Sequence, residues 1–319
     1  MRKKYLQSEL GIREEYWDGN WNSTSIERAL EFVEISPLKP IFDVYFPREG
    51  KILEGGCGLG QYVIYYKRKG YDIEGVEFAQ ETLKRVKQFS KEVLIKKGDV
   101  LNLSYPADYF DVYYSGGVVE HFEQGPHQAL KEAYRVLKKE GVLIITVPYC
   151  NLYRRIQSFI SYMLGRNTSS GNVDFDGKKT RHVWVRSHQI TPSPFKGFSF
   201  HQYEYTRKEF SQILKEQGFK LIKSHGTSII WGLQDHSFLR KIILKITKKS
   251  TENGSFVESS PVPGAIQKAS SFKKKVKLLL KKILISEIRA GWIETVIVSI
   301  LQFTSANMVL FICKKKSLE

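Results

Sequence analysis

The fold class predicted for this 319-residue chain is an open α/β fold, a parallel sheet with helices on both faces. Three observations predict it. Strand-like apolar runs alternate with helical patterns between residues 50 and 150. Those runs are almost continuously apolar, as strands buried on both faces must be. One of them, Lys51-Ile-Leu-Glu-Gly55, runs straight into the glycine-rich turn Gly56-Cys-Gly-Leu-Gly60, which opens a helix.

The elements follow in order. In the turn Gly56, Gly58 and Gly60 alternate, so the backbone can turn tightly and a ligand can approach with no Cβ in the way. The helix runs from Gln61 to Lys69. Tyr71-Asp-Ile-Glu-Gly-Val-Glu77 is the second strand, and Glu77 stands twenty-one positions after Gly56. An acid at that distance accepts both hydroxyls of a ribose in nucleoside-binding βαβ units, so a nucleoside-containing cofactor is expected. A short third strand, Glu92 to Lys96, leads into Lys97-Gly-Asp-Val100. Tyr109 to Ser115 is the fourth strand, followed by Gly116-Gly-Val-Val-Glu-His-Phe122. Ala129, Leu130, Ala133, Val136 and Leu137 then mark one face of an amphipathic helix. Glu140-Gly-Val-Leu-Ile-Ile-Thr-Val-Pro148 is an apolar fifth strand.

The glycine spacing restricts the cofactor. A dinucleotide fingerprint needs G-x-G-x-x-G, and Gln61 stands where its last glycine belongs. No P-loop Lys-Ser/Thr follows, so nucleotide phosphates lack a cradle. The compressed pattern E-x-G-x-G-x-G from Glu54 resembles motif I of the class I S-adenosylmethionine-dependent methyltransferases, and Lys97-Gly-Asp-Val100 resembles their adenine-binding segment. The entry into the fifth strand through Leu-Lys-Lys-Glu-Gly is also similar to theirs. The resemblance implies S-adenosylmethionine as cofactor, held by Glu54, Gly56, Cys57, Gly58, Gly60, Glu77, Phe78, Asp99, Val100, Ser115 and Gly116. In it Asp99 accepts from the exocyclic amine of adenine and the Val100 amide donates to a ring nitrogen.

The match resumes further on. Thr206 and Glu209 form a capping box ahead of a helix that turns Phe210, Ile213 and Leu214 inward and stops at Gly218. Lys220 to Ser224 is a sixth strand, and Asn307-Met-Val-Leu-Phe-Ile-Cys-Lys resembles the family's last, antiparallel strand. The expected fold is thus a Rossmann-like, mostly parallel seven-stranded sheet with insertions after strand five and between strands six and seven. The implied segments are an N-terminal helical, aromatic arm (1–45), the cofactor core (46–149) and a substrate lid (150–200). The core continues over 201–237, a basic amphipathic insertion spans 238–305, and a closing strand and tail occupy 306–319.

The net charge of +17 is unevenly placed. Residues 1–149 hold 21 Lys+Arg against 22 Asp+Glu, residues 150–239 hold 13 against 6, and residues 240–319 hold 16 against 5. The excess lies outside the cofactor half and suits an anionic partner or a solvated surface. Three scattered cysteines without C-x-x-C give neither a disulfide framework nor a zinc site, and no metal is expected. The N-terminus lacks the apolar core of a signal peptide, so a cytoplasmic protein is expected, or one peripheral on the inner face of the membrane. Phe238–Lys249 and Phe272–Leu284 have the pattern of basic amphipathic helices, which suit an anionic membrane surface. Trp292–Ile312 is long and apolar enough to raise the question of a span. Glu294, Gln302 and Asn307 favour a buried helix followed by a strand.

Methyl transfer from a sulfonium needs an aligned acceptor and, in some cases, a base. His121, after the fourth strand, is the candidate base, with a local helix-capping role as the alternative; Glu120 beside it could orient the imidazole. In the lid, Tyr153, Arg154, Arg181 and Arg186 are candidates for binding a small-molecule, glycan or lipid-like acceptor, against the alternative of solvated surface. Asn167 to Lys179 has the composition of a flap, and Trp17 and Trp21 either line the pocket or cover the sheet. The small-molecule branch of the family implies O-methylation as the favoured chemistry. An RNA methyltransferase is disfavoured, since Ser115-Gly-Gly-Val replaces the Asn/Asp-Pro-Pro-aromatic segment of base-amine enzymes. A non-catalytic cofactor-binding scaffold is the other alternative.

Overall fold

The computed structural model describes residues 2–7, 14–164, 168–175, 178–186, 198–233, 287 and 292–316. The central sheet has seven strands: β2 (Lys51–Gly55), β3 (Asp72–Glu77), β4 (Leu94–Lys97), β5 (Phe110–Gly116), β6 (Leu137–Pro148), β10 (Phe219–Thr227) and β11 (Met308–Lys315). Their spatial order is β10-β11-β6-β5-β2-β3-β4. Only β11 runs antiparallel, against β6 on one side and β10 on the other. This is the Rossmann-like arrangement expected from the sequence. The strand order reverses between β2 and β5, where an open sheet of this kind holds its ligand at the carboxyl ends of the strands.

The two-residue period of the strands divides the core into two layers. Leu53, Tyr113, Leu143, Ile145 and Phe311 face one layer, with Leu130 and Val136 of α6 (His127–Val136) and Phe210 and Leu214 of α8 (Arg207–Glu216). Their neighbours Ile52, Val112, Tyr114, Ile144 and Ile312 face the other. There they meet α2 (Ile26–Ile35), α3 (Lys39–Tyr45), α4 (Gln61–Arg68) and α5 (Gln80–Phe89). Phe42 anchors this layer, fully buried and in ring contact with Phe46, Tyr62, Tyr66 and Tyr114. The expected capping box is present: Thr206 accepts from the Glu209 amide, and the Glu209 carboxylate accepts from the Thr206 amide.

A second sheet was not read from the sequence. β1 (Arg2–Gln7) lies between β8 (Lys178–Arg186) and β9 (Phe198–Glu204), and β7 (Thr168–Phe175) pairs with β8, all antiparallel. The arm expected to be helical therefore begins as a strand, with both its edges paired, and continues into α1 (Glu14–Asn22). The segment expected as a flap is a β-hairpin over its described residues. β9 is joined to the end of β6 through the Cys150 amide on the Tyr205 carbonyl and the Tyr205 amide on the Pro148 carbonyl. The second sheet is thus held at the carboxyl edge of the first.

After β6 comes α7 (Leu152–Met163), α9 (Ile229–Leu233) follows β10, and α10 (Trp292–Thr304) precedes β11. A helix followed by a strand is the arrangement expected for Trp292–Ile312, but the helix is not buried all round: Val296, Ile297, Ile300 and Phe303 are exposed. No helix among the described residues is long and apolar enough to cross a membrane. The two basic segments, 238–249 and 272–284, lie outside the described residues. Cys57, Cys150 and Cys313 are buried free thiols.

Candidate active site

The glycine turn leaves β2 with Gly56, Gly58 and Gly60 all at positive φ (+73°, +53° and +66°), a conformation that favours glycine. A Cβ on Gly56 would lie 2.5 Å from Val118, and one on Gly58 would lie 2.6 Å from the indole of Trp21. Both glycines are therefore required by close approach as well as by backbone geometry. The Gly56 and Cys57 amides both donate to the Val76 carbonyl, which ties the turn to β3.

Glu77, at the end of β3, is buried and organises this edge. One carboxylate oxygen accepts from the Gly58 amide at 2.6 Å, and the other accepts from the Phe78 and Ala79 amides at 2.8 Å each. Burial raises the pKa of this carboxyl, and the three amides oppose the rise. The Gly98 amide donates to the Glu77 carbonyl, so Phe78 and Asp99 leave adjacent strand ends. Phe78 is 44% exposed and Asp99 is exposed, with one carboxylate oxygen closing a turn onto the Leu101 amide. Val100 packs into the core. The Ser115 hydroxyl donates to the Gly55 carbonyl at 3.2 Å, so that side chain ties β5 to the turn. A Cβ on Gly116 would collide with the Tyr114 hydroxyl.

The first amides of α5 have no cap of their own, since its N-cap residue is Ala79. Three carboxylates from elsewhere satisfy them. Glu77 takes the Phe78 and Ala79 amides, Glu14 takes Gln80 at 2.9 Å, and Asp18 takes Thr82 at 2.8 Å. Glu14 also accepts from Lys97 Nζ at 3.0 Å, and Arg85 donates to the Trp21 and Thr24 carbonyls. α1 is in this way bolted over the turn. Trp17 and Trp21, spaced i and i+4 on its one face, meet His121 and Gly58 respectively. Both tryptophans therefore lie against candidate site residues.

His121 closes a short 3₁₀ turn, Val119–His121, after β5. Its Nδ1 lies 2.7 Å from the His201 carbonyl oxygen. A carbonyl only accepts, so Nδ1 carries the proton and Nε2 keeps its lone pair. Nε2 is 3.8 Å from Glu120 Oε1. Trp17 packs against the imidazole edge at 4.8 Å between centroids, and His201 and Tyr16 complete the ring cluster. Burial lowers the His121 pKa to about 4, with the bond to His201 opposing and the Lys4 charge adding to the shift. The imidazole is neutral over a much wider range than its ordinary value implies. Burial also raises Glu120 to about 8. His201 and Tyr16 were missed in the sequence; His201 lies eighty positions from His121 and no spacing rule links them.

The remaining acceptor candidates separate. Arg154 is buried: it donates to the Tyr149 carbonyl and to Asn307 Oδ1, and pairs with Glu204 at 2.9 Å, while Arg2 reaches Glu204 at 3.2 Å. Arg154 thus locks α7, β9 and the start of β11 together and is withdrawn from the acceptor set, because its guanidinium is enclosed by structural partners. The Tyr153 hydroxyl accepts from Gln157 on the same helix. Arg181 and Arg186 stand on β8, in register with Asn172 and with Arg2.

The donor and acceptor chemistry fits S-adenosylmethionine. One carboxylate oxygen of Glu54 and one of Glu120 are buried without a hydrogen-bond partner. Burial and then the charge of Glu77 hold Glu54 well above the usual carboxylate range. Burial raises the Tyr114 phenol, and Tyr62, Glu54 and Glu120 add to the rise. Orphaned buried carboxylates beside a glycine turn suit a ligand with an ammonium and a sulfonium.

Residues 53–145 match the family described as a methyltransferase domain. They form a class I methyltransferase domain. The cofactor of this domain class is S-adenosylmethionine. Over the whole fold, a solved SAM-dependent methyltransferase from Methanosarcina mazei superposes with a TM-score of 0.50 at 13% identity, covering 88% of this chain and 98% of that one. Among curated proteins, the chain is 31% identical over 133 residues to the chloroplastic 2-methyl-6-phytyl-1,4-hydroquinone methyltransferase of Arabidopsis thaliana, a match spanning 41% of this chain and 36% of the relative. It is 25% identical over 117 residues to phosphoethanolamine N-methyltransferase of Plasmodium falciparum, which covers 35% of this chain and 44% of that one. The chain spans about a third of the length of the hydroquinone methyltransferases it matches (36% and 35%). The methyltransferase match spans the glycine turn, Glu77 and Asp99, but not the second sheet or α10.

Proposed function

We propose that this protein transfers a methyl group from S-adenosylmethionine to a small-molecule, glycan or lipid-linked acceptor, by O-methylation, at or near a membrane surface. The observation that carries the chemistry is the fixed tautomer of His121. Its Nδ1 proton is held by the His201 carbonyl, so Nε2 is available to take a proton from an acceptor hydroxyl. The bound cofactor would supply the electrophilic methyl carbon, and the chain supplies alignment, water exclusion and the proton acceptor. Glu54 and Glu120 would face its cationic groups, Glu77 its ribose, and Phe78 with Asp99 its adenine. Trp17, Tyr16 and His201 exclude water around the imidazole. Relatives named for a hydroquinone and for phosphoethanolamine support a small-molecule acceptor.

The test is transfer of labelled methyl from S-adenosylmethionine into cell-envelope extracts, with His121→Asn as comparator. Transfer is expected with wild type, and a loss of about 10²–10⁴ in kcat is expected for the variant while cofactor affinity holds. A protein that binds the cofactor but labels nothing in any extract is a scaffold, and the proposal fails.

A further inference from the structure

α7 and α10 carry an apolar face that the methyltransferase domain does not use. On α7 and the residue after it, Ile156, Phe159, Ile160, Met163 and Leu164 are 48–67% exposed. Their spacing, i, i+3, i+4, i+7 and i+8, is one helical stripe. On α10, Val296, Ile297, Ile300 and Phe303 are 41–56% exposed along a second stripe. The two helices pack against each other. Of the fourteen exposed large apolar residues among those described, nine lie on this pair. A folded surface rarely concentrates such residues without a partner.

Three further facts identify the partner. Neither residues 152–164 nor residues 295–304 contain a carboxylate. The chain leading into α10, residues 238–290, holds 13 Lys+Arg against 3 Asp+Glu. α10 has 13 residues, about 20 Å of helix, too short for a hydrocarbon core of about 30 Å. An apolar, acid-free face preceded in the sequence by a strongly cationic segment has the composition of an interfacial element. A second copy of a chain with net charge +17 would be repelled from the same face.

We infer that the α7/α10 face seats in the interface of an anionic lipid bilayer. Its place in the fold gives this a consequence. Asn151 donates to the Ala306 carbonyl and Arg154 to Asn307, so both helices are fixed to the turn before β11, at the carboxyl edge that holds the site. The site therefore opens beside the lipid surface, and an acceptor with an acyl or prenyl tail reaches it without leaving the bilayer. That consequence rests on the proposed methyl transfer; the docking itself does not.

The experiment is flotation of the full chain with vesicles of phosphatidylcholine alone or with 30% phosphatidylglycerol, comparing wild type with Phe159→Asp/Ile300→Asp. Wild type is expected to float with the anionic vesicles at low salt. The double variant, both positions being exposed, should lose at least tenfold in partitioning while keeping its melting temperature and cofactor affinity. Wild-type flotation by the variant, or no flotation by wild type, overturns the inference. A wild-type dimer that the variant converts to monomer, without vesicle binding by either, overturns it in favour of self-association. Cofactor titration of the same samples separates this from the methyltransferase reading, because loss of one leaves the other intact.

Discussion

Replacing Glu77 by alanine should damage folding and cofactor binding together, and by amounts that can be separated. Its carboxylate accepts three backbone amides at 2.6–2.8 Å, from the glycine turn and from the start of α5. Hydrogen bonds to a charged group contribute roughly 1.5–3 kcal/mol each, and the loss of one partner strands the other. Against this stands the cost of keeping a buried carboxylate, visible in its raised pKa. A net loss of about 3–5 kcal/mol follows, or roughly 5–7 °C in melting temperature for a chain of this size. Glu77→Gln keeps an oxygen for Phe78 and Ala79 but turns an NH2 towards the Gly58 amide, so its loss should be about half. In calorimetric titration with S-adenosylmethionine, both variants should lose about 10–100-fold in affinity, the value of one charge-assisted contact to the ribose. An alanine variant that melts within 1 °C of wild type would refute the turn-organising role. A destabilised variant with unchanged affinity would refute the ribose contact and leave Glu77 purely structural.

Other predictions follow from the same geometry. Asp18→Ala removes the acceptor for Thr82 and should cost about 1–2 kcal/mol in stability, read by denaturant titration, with a weaker cofactor affinity as α1 loosens. Trp21→Ala should leave the melting temperature within a few degrees but raise the cofactor dissociation rate in stopped flow, since the indole covers Gly58. Glu120, raised to about 8, favours folding while protonated, and that contribution is lost as pH climbs towards 8. His121, lowered to about 4, acts in the opposite sense, its contribution being lost as pH falls from 6.5 to 4. Between pH 6.5 and 8 only Glu120 of this pair acts, so Glu120→Gln should flatten a fall of about 2 kcal/mol seen in wild-type denaturation curves. For the same reason cofactor binding should release protons near pH 7, measurable by calorimetry in buffers of different ionisation enthalpy.

The parts of the fold legible in the sequence are those whose signals are local. The apolar runs at β2, β5 and β6, the glycine spacing and the Thr206–Glu209 box each lie within a dozen residues, and each is where the sequence placed it. The second sheet was hidden because β1 has only six residues, rich in Arg and Lys, and becomes a strand by pairing with segments nearly two hundred positions away. Arg154 was misassigned for a related reason: exposed arginines and buried ones look alike until Glu204 and Asn307 are placed beside them. The i, i+4 pair Trp17 and Trp21 carried a usable sign of a shared face, but not of what it would cover. α10 was read as a buried helix because Glu294, Gln302 and Asn307 spoke against a span; that composition does not report whether its apolar stripe has a protein neighbour.

The N-terminus of α5 links cofactor binding to the closure of the site. Its first amides are divided between Glu77, the proposed ribose acid, and Glu14 and Asp18, which belong to the helix lying over it. A helix N-terminus has a fixed number of donors, so these carboxylates share one positive end rather than act apart. Ordering α1 and ordering the glycine turn are then favourable to each other, because each presents an acceptor that steadies the same first turn of helix. α1 also carries Trp17 against His121, whose proton is in turn held by β9. The chain of contacts therefore runs from Glu77 through α5 and α1 to the imidazole, joining the half of the site proposed to hold the cofactor to the half proposed to receive the acceptor.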